Sequence, residues 1–216
     1  MAAEQIKTIK ATHRAEFDVV GLGGGAAGLF AAFTAAQRGR SVVVLERANK
    51  IGKKILMSGG GRCNFTNLHC GPADFLSANA HFCRSALASY SQHDFIALVE
   101  RHGIAWHEKT LGQLFCDDSA QQVIDMLLAE CALGAVEFAL STRVSLLTSG
   151  ASGFELGTSA GPLQADSVVI ACGGKSIPAI GASGYAYELA GQFGLAVVTP
   201  RPGLVPLVFP PPFALL

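Results

Sequence analysis

The chain is 216 residues long, half of them apolar and 15% charged, with 16 Lys+Arg set against 16 Asp+Glu. That length and composition describe a packed α/β protein of one large domain or two small ones, rich in buried sheet. Zero net charge gives no electrostatic footprint for nucleic acid or an anionic membrane surface, so neither partner is expected and only a local patch is left for such contacts.

Residues 1–16 are mixed and polar and read as a loose tail. Residues 17–22 (FDVVGL) form a short apolar strand that runs into GGGAAG at 23–28. A run rich in Ala, Leu and Phe follows over 29–38, helical in composition and closed by Gly39. A second buried strand over 41–45 ends in Glu46. Residues 19–37 carry no charge and, behind Lys7, Lys10 and Arg14, imitate a signal peptide or a membrane span. Three consecutive glycines argue against one continuous helix, and a strand–turn–helix accounts for them; the protein is expected in the cytoplasm.

Residues 50–67 read as a glycine-rich basic loop. Helical spacing over 75–102 places Phe82, Leu87, Phe95, Ile96, Leu98 and Val99 on the apolar side, with a break near Ser91 and Gln92 that makes two helices. Short strands are expected over 104–107 and 113–115. The helix over 119–133 carries Val123, Ile124, Leu127 and Leu128 on one stripe. A strand over 136–140 completes a second crossover unit. Segments 143–148, 153–158 and 163–165, parted by Ser/Gly turns, read as an antiparallel meander, and SVVIA at 167–171 as a separate, fully buried parallel strand. A helical segment over 185–192 precedes residues 199–212, whose six prolines exclude regular helix.

The first unit carries the chemistry. Gly23, Gly25 and Gly28 fit G-x-G-x-x-G, with Ala26 and Ala27 between the last two. Gly23 allows the tight turn, Gly25 lets the backbone approach a pyrophosphate, and Gly28 lets the helix pack on the strand. The helix N-terminus then faces the phosphates. Glu46, 21 residues past Gly25, is placed to accept hydrogen bonds from an adenosine ribose, with Arg47 beside it. An acid there repels a 2′-phosphate, which favours FAD or NAD over NADP.

A second block, GKKILMSGGGRCNFTN at 52–67, supplies Ser58, Gly59 and Gly60 as a turn without bulk, with Lys53, Lys54 and Arg62 as positive charge for a pyrophosphate. Asn64, Thr66 and Asn67 add neutral donors and acceptors suited to a flavin edge. Cys63 is counted with this cofactor-binding block, but it has no second cysteine at C-x-x-C or C-x4-C spacing, so it reads as a packing residue there rather than a redox thiol. The six cysteines as a set read as free thiols, and the spacing of Cys63, His69, Cys70, His81 and Cys83 fits no usual zinc module, so no metal is expected. None of His13, His69, His93, His102 and His107 falls in a pattern that makes a catalytic base, and no catalytic residue is assigned.

This block, together with ACGGKSIPAIGASGYAYELAGQFG at 171–194 and LVPL at 204–207, resembles the signature of the BaiN/YhiN-like flavoproteins, a family of NAD(P)/FAD-dependent oxidoreductases. The resemblance runs from Phe17 almost to the end. It implies a Rossmann-like FAD-binding domain with a parallel sheet, crossover helices and a small antiparallel meander, spanning 17–199, with 200–216 as the start of an inserted substrate domain. It also implies that the turn at Ala171, Gly173 and Gly174 passes close to FAD and that Val144, on the first meander strand, offers its backbone amide to the adenine. Cys172 stands where the family usually has Thr, and Ala186 where a Gly is expected. Such flavoproteins are about twice this length, so the chain reads as C-terminally truncated. The expected function is hydride or electron transfer between NAD(P)H and an organic small molecule or oxygen. A non-catalytic nucleotide-binding remnant and an NAD-dependent dehydrogenase are the alternatives. A flavin needs few protein acids, because it carries the electron chemistry itself.

Overall fold

A computed structural model describes residues 15–203; the LVPL segment and the proline-rich end lie outside the described residues, as does most of the expected tail. Strand β1 (Ala15–Leu22) starts two residues before the expected boundary, so Ala15 and Glu16 belong to the sheet and not to a tail. Helix α1 (Ala26–Ala36) follows, Gly39 takes φ +81° after it, and β2 (Val42–Leu45) lies parallel to β1, pairing Val19 with Val42 through Leu22 with Leu45. The uncharged stretch 19–37 is thus divided between a strand, a turn and a helix. No helix among the described residues is long and apolar enough to cross a membrane.

The segment read as a loop over 50–67 contains a short helix, α2 (Lys53–Met57), and strand β3 (Asn64–Asn67). Ile55 on that helix is buried, and Phe65 packs against the same core. With Ile51, Leu56 and Cys63 in the same core, these residues anchor the segment without showing a regular period. Two helices follow, α3 (Arg84–Ser89) and α4 (Gln92–Arg101). Ser91 caps α4, its hydroxyl accepting from the Asp94 N–H while the Asp94 carboxylate accepts from the Ser91 N–H, which is why the chain breaks there. Phe82 lies ahead of α3 and is exposed, edge-on to Phe75, rather than in the core. Strands β4 (Trp106–Glu108) and β5 (Gln113–Cys116) form with β3 a separate antiparallel sheet in the order β3-β5-β4.

Helix α5 (Gln121–Leu133) leads to β6 (Glu137–Ala139), and then β7 (Val144–Gly150), β8 (Gly153–Thr158) and β9 (Gly161–Ile170) precede α6 (Tyr185–Gln192). The large sheet runs β6-β2-β1-β9-β8-β7. Its first four strands are parallel and its last two antiparallel. The meander's last strand and the expected parallel strand 167–171 are one ten-residue strand. Residues 161–165 of β9 pair antiparallel with β8, while 163–170 pair parallel with β1. Asp166 interrupts the apolar pattern just past Ala165, where pairing with β8 ends while pairing with β1 continues, which makes one strand read as two. Its second half is not fully buried: Val168 and Val169 are half-buried and Ser167 and Ile170 exposed.

Alternate side chains of β2 face opposite ways. Val42 and Val44 meet α1 and α5 through Leu29, Phe33, Val123, Leu127 and Cys131. Val43 and Leu45 meet the meander and α6 through Leu147, Leu156, Leu163 and Leu189. Both faces are therefore covered, which gives the unbroken apolar run VVVL.

The helices are tied at one end by Glu130, a carboxylate buried on α5. It accepts from Gln37 Nε2 at 2.8 Å and Arg101 Nη2 at 2.9 Å and pairs with His102 Nε2 at 2.7 Å. Burial pushes its carboxyl up, but the hydrogen bonds from His102, Gln37 and Arg101 outweigh that and hold it down to about 2. A value depressed below the ordinary 4.5 gives stability that is complete above the ordinary value and is lost as pH falls towards about 2. Glu130→Gln is expected to lower stability near neutral pH by about 1–3 kcal/mol and to flatten the acid limb of the urea midpoint. A variant that tracks the parent through the acid range would remove this cluster from the account.

Candidate dinucleotide-binding site

At the carboxyl end of β1 the backbone is packed too closely for side chains at two of the three fingerprint glycines. Gly23 has φ +112°, and a Cβ there would lie 2.6 Å from Ala171 O. A Cβ at Gly28 would lie 1.9 Å from Gly23 O. Gly25 is the opposite case, with no atom within 4 Å of an added Cβ. Its open side is where a ligand would run beside the first turn of α1, whose N–H groups lack acceptors within the helix. Gly25 caps α1 with backbone alone, leaving that space clear.

Glu46 stands at the end of β2, half-buried, with its carboxylate held on both sides. Oε2 accepts from the Gly24 N–H at 2.8 Å and Oε1 from the Ala48 N–H at 2.6 Å. Its acid therefore fixes the glycine turn as well as facing the cavity, a role the motif spacing did not reveal. Each oxygen keeps acceptor capacity for a ribose hydroxyl. Arg47 is exposed and donates through Nη2 to Gly181 O at 2.6 Å. Lys54 Nζ donates to Ser176 Oγ, which joins the second sequence block to the third.

Gly59, Gly60, Gly61 and Cys63 all have positive φ. A Cβ at Gly59 would lie 2.6 Å from Asn64 N and 2.7 Å from the Phe115 ring, so this glycine is required by packing against β5. The Asn64 side chain is exposed; with its amide oxygen and nitrogen exchanged, the nitrogen donates to Thr66 O at 3.2 Å and Leu114 O at 3.3 Å. Burial, only partly opposed by a Ser58 hydrogen bond, pushes the Cys63 thiol up, and burial does the same for Cys172. Neither is poised as a thiolate nucleophile. Among the described residues, no three His, Cys, Asp or Glu side chains gather as a metal site.

Two adjoining cavities, about 640 and 580 Å³, lie across the carboxyl ends of the parallel strands and share seven lining residues, among them Gly23, Glu46, Lys53 and Cys172. The first is lined by Gly23, Gly25, Ala26, Ala27, Glu46, Lys54, Ser58, Cys63, Asn64, Ala171, Gly173 and Gly174. Arg47 and Val144 line the second. Gly28, Gly59, Gly60 and Arg62 line neither: Gly28 is buried in helix–strand packing, and Arg62 is exposed. Sequence reasoning missed the apolar wall of the first cavity: Phe30, Phe95, Val123 and Leu127 lie on helical runs that read as core, and Phe65 on a segment read as loop. It also missed Thr142, Arg143, Tyr185 and Glu188 in the second, where no motif marks them. The donor set fits a dinucleotide: an open glycine turn, unpaired helix N–H groups, an acid for the ribose and cations at the rim.

Fold and site together define a Rossmann-type dinucleotide-binding domain of the flavoprotein oxidoreductase kind. The family model for the HI0933-like protein Rossmann domain matches residues 17–207, and the chain belongs to that family. A protein of Escherichia coli (strain K12) named ribosomal RNA dihydrouridine synthase is 53% identical over 91% of this chain and 49% of its own length. The protein of the same name from Haemophilus influenzae is 46% identical over 87% of this chain and 48% of its own. A 3-dehydro-bile acid delta(4,6)-reductase of Clostridium scindens is 32% identical over 86% and 46%. The chain spans about half the length of these curated relatives. Among solved structures, a 3-ketosteroid-delta4-(5alpha)-dehydrogenase from Rhodococcus jostii RHA1 superposes with TM-score 0.57 at 19% identity, covering 79% of this chain and 49% of that one. Glycine oxidase from Geobacillus kaustophilus gives 0.51 at 18%, covering 84% and 59%. At such identities the likeness is one of fold. The RNA product in the names of the first two relatives stands against the expectation, drawn from zero net charge, of a small-molecule substrate alone.

Proposed function

We propose that the chain is the FAD-binding portion of a flavin-dependent reductase that saturates a carbon–carbon double bond conjugated to a carbonyl. Its substrate is a uridine in RNA, and NAD(P)H is the electron donor. The observation that carries the cofactor is the pair of adjoining cavities that meet at Glu46, one lined by Val144 and the other by the glycine turn, Ser58 and Asn64. Glu46 takes the adenosine ribose, and the strand end at Val144 takes the adenine. The first turn of α1, with Lys54, takes the pyrophosphate, while Ser58 and Asn64 reach towards the flavin ring. Ala171, Gly173 and Gly174 keep the opposite wall low.

The substrate class comes from the relatives. Two are named for dihydrouridine, a uracil ring saturated at C5–C6 beside its C4 carbonyl, and a third for reduction of unsaturated 3-oxo steroids. Both names describe one reaction class: a hydride adds to the carbon remote from the carbonyl, a proton adds to the nearer one, and NAD(P)H leaves as NAD(P)⁺. Uridine is preferred because those two relatives are the more similar. FAD, when bound, supplies the hydride relay between nicotinamide and substrate.

The test is a single turnover without oxygen. The chain is loaded with FAD, reduced with NAD(P)H and mixed with a uridine-containing ribosomal RNA fragment. The flavin band is expected to return as the RNA gains two hydrogens at a uridine. A flavin that stays reduced, with unchanged RNA, would overturn the substrate assignment.

A further inference from the structure

The balanced net charge conceals a one-sided segment. Residues 47–73 contain Arg47, Lys50, Lys53, Lys54 and Arg62 and no aspartate or glutamate. None of these five cations forms an ion pair among the described residues. Arg47 and Lys54 are held by Gly181 and Ser176, but the side chains of Lys50, Lys53 and Arg62 have no hydrogen-bond partner among the described residues. Lys50 and Lys53 stand on the lining of the first cavity, and Arg62 is exposed on the loop between Ser58 and Asn64, which line it too. Beside Arg62, added Cβ atoms at Gly60 and Gly61 would meet nothing within 4 Å, so the backbone there is open to close approach.

Glu46 shares the cavity lining with Lys50 and Lys53, but its carboxylate is held by the Gly24 and Ala48 N–H groups and pairs with neither lysine. Beside Arg62, Asp117 and Asp118 stand on the turn whose Ala120 N–H donates to Gly61 O. Asp117 is engaged by His107 at 2.7 Å, and neither acid pairs with Arg62. A dinucleotide's pyrophosphate carries two charges, and Lys54 with the helix N–H groups answers it. Lys50 and Lys53 on the cavity lining and Arg62 on the adjacent loop are left without a counter-charge among the described residues, in addition to Lys54 and the helix N–H groups.

We propose that Lys50, Lys53 and Arg62 form the docking strip for the sugar–phosphate backbone of the RNA substrate, which leads an unpaired nucleotide to the cavity. This rests on the RNA reading above and adds the residues that recognise the polymer. An unpaired strand fits best, because a base must leave its stack before its C5–C6 bond can reach a cofactor. Phosphate contacts position the strand without reading its sequence.

The experiment measures binding of a dye-labelled, uridine-rich single-stranded oligoribonucleotide to the FAD-loaded 216-residue chain across a salt series. FAD affinity is measured in parallel. For the double variant Lys50→Gln with Arg62→Gln, RNA affinity at low salt is expected to fall about ten-fold or more. The salt slope should shrink by about 0.7 for each phosphate that is no longer neutralised. The charge-conserving pair Lys50→Arg with Arg62→Lys is expected to restore both. Parent-like RNA binding by the glutamine variant overturns the strip while the RNA reading stands. Parallel loss of FAD and RNA also overturns it, because the cations would then serve the cofactor. A parent chain that binds FAD but no RNA removes the RNA reading itself, and the strip with it.

Discussion

Gly25→Val is expected to yield a folded protein that no longer retains FAD, whereas Gly28→Ala is expected to damage the fold itself. The two glycines sit three residues apart in one motif, yet their surroundings differ. An added Cβ at Gly25 meets no protein atom within 4 Å and its φ of −87° suits any residue, so valine is expected to cost the fold little and to fill the space beside the helix N–H groups. At Gly28 even a methyl group would lie 1.9 Å from Gly23 O, and the turn or the helix must shift. Steric conflict of that kind in a packed core costs about 1–3 kcal/mol or more. Thermal denaturation and released-flavin content of both variants check this. Full FAD retention by a folded Gly25→Val chain would remove the turn from the cofactor site.

Glu46→Ala is expected to weaken FAD binding by about 1–3 kcal/mol, a loss of roughly 5- to 150-fold in affinity. Two causes add. The ribose loses a charged acceptor, and the Gly24 and Ala48 N–H groups lose the carboxylate that fixes the glycine turn. Glu46→Gln restores one carbonyl acceptor and should fall between the two. An unaltered dissociation constant for the alanine variant, measured by flavin fluorescence titration, would show that the acid serves the turn alone.

Much of this fold was legible in the sequence because its signals are local. The unbroken run VVVL, the glycine turn, the stripe on α5 and the Ser91 cap each state their structure within a few residues. What was not legible depends on pairing at a distance. β9 reads as two strands because its pairing with β8 ends at Ala165 while its pairing with β1 runs on to Ile170, and Phe82 reads as core because its spacing is helical although the chain there is not. At the site, the motif residues converge as their spacing implies, but the aromatic wall of Phe30, Phe65 and Phe95 arises from three elements that only tertiary packing brings together. Net charge misled most directly. A sum of zero hides 27 residues with five cations and no acid, and the local distribution, not the total, is what a polyanion meets.

The measurement that tests the central claim most directly is the visible absorption spectrum of the purified 216-residue chain, before and after incubation with FAD, with any chromophore released by denaturation and identified. The account predicts a flavin spectrum with FAD as the released species. A folded, colourless protein that stays free of flavin after incubation would contradict it.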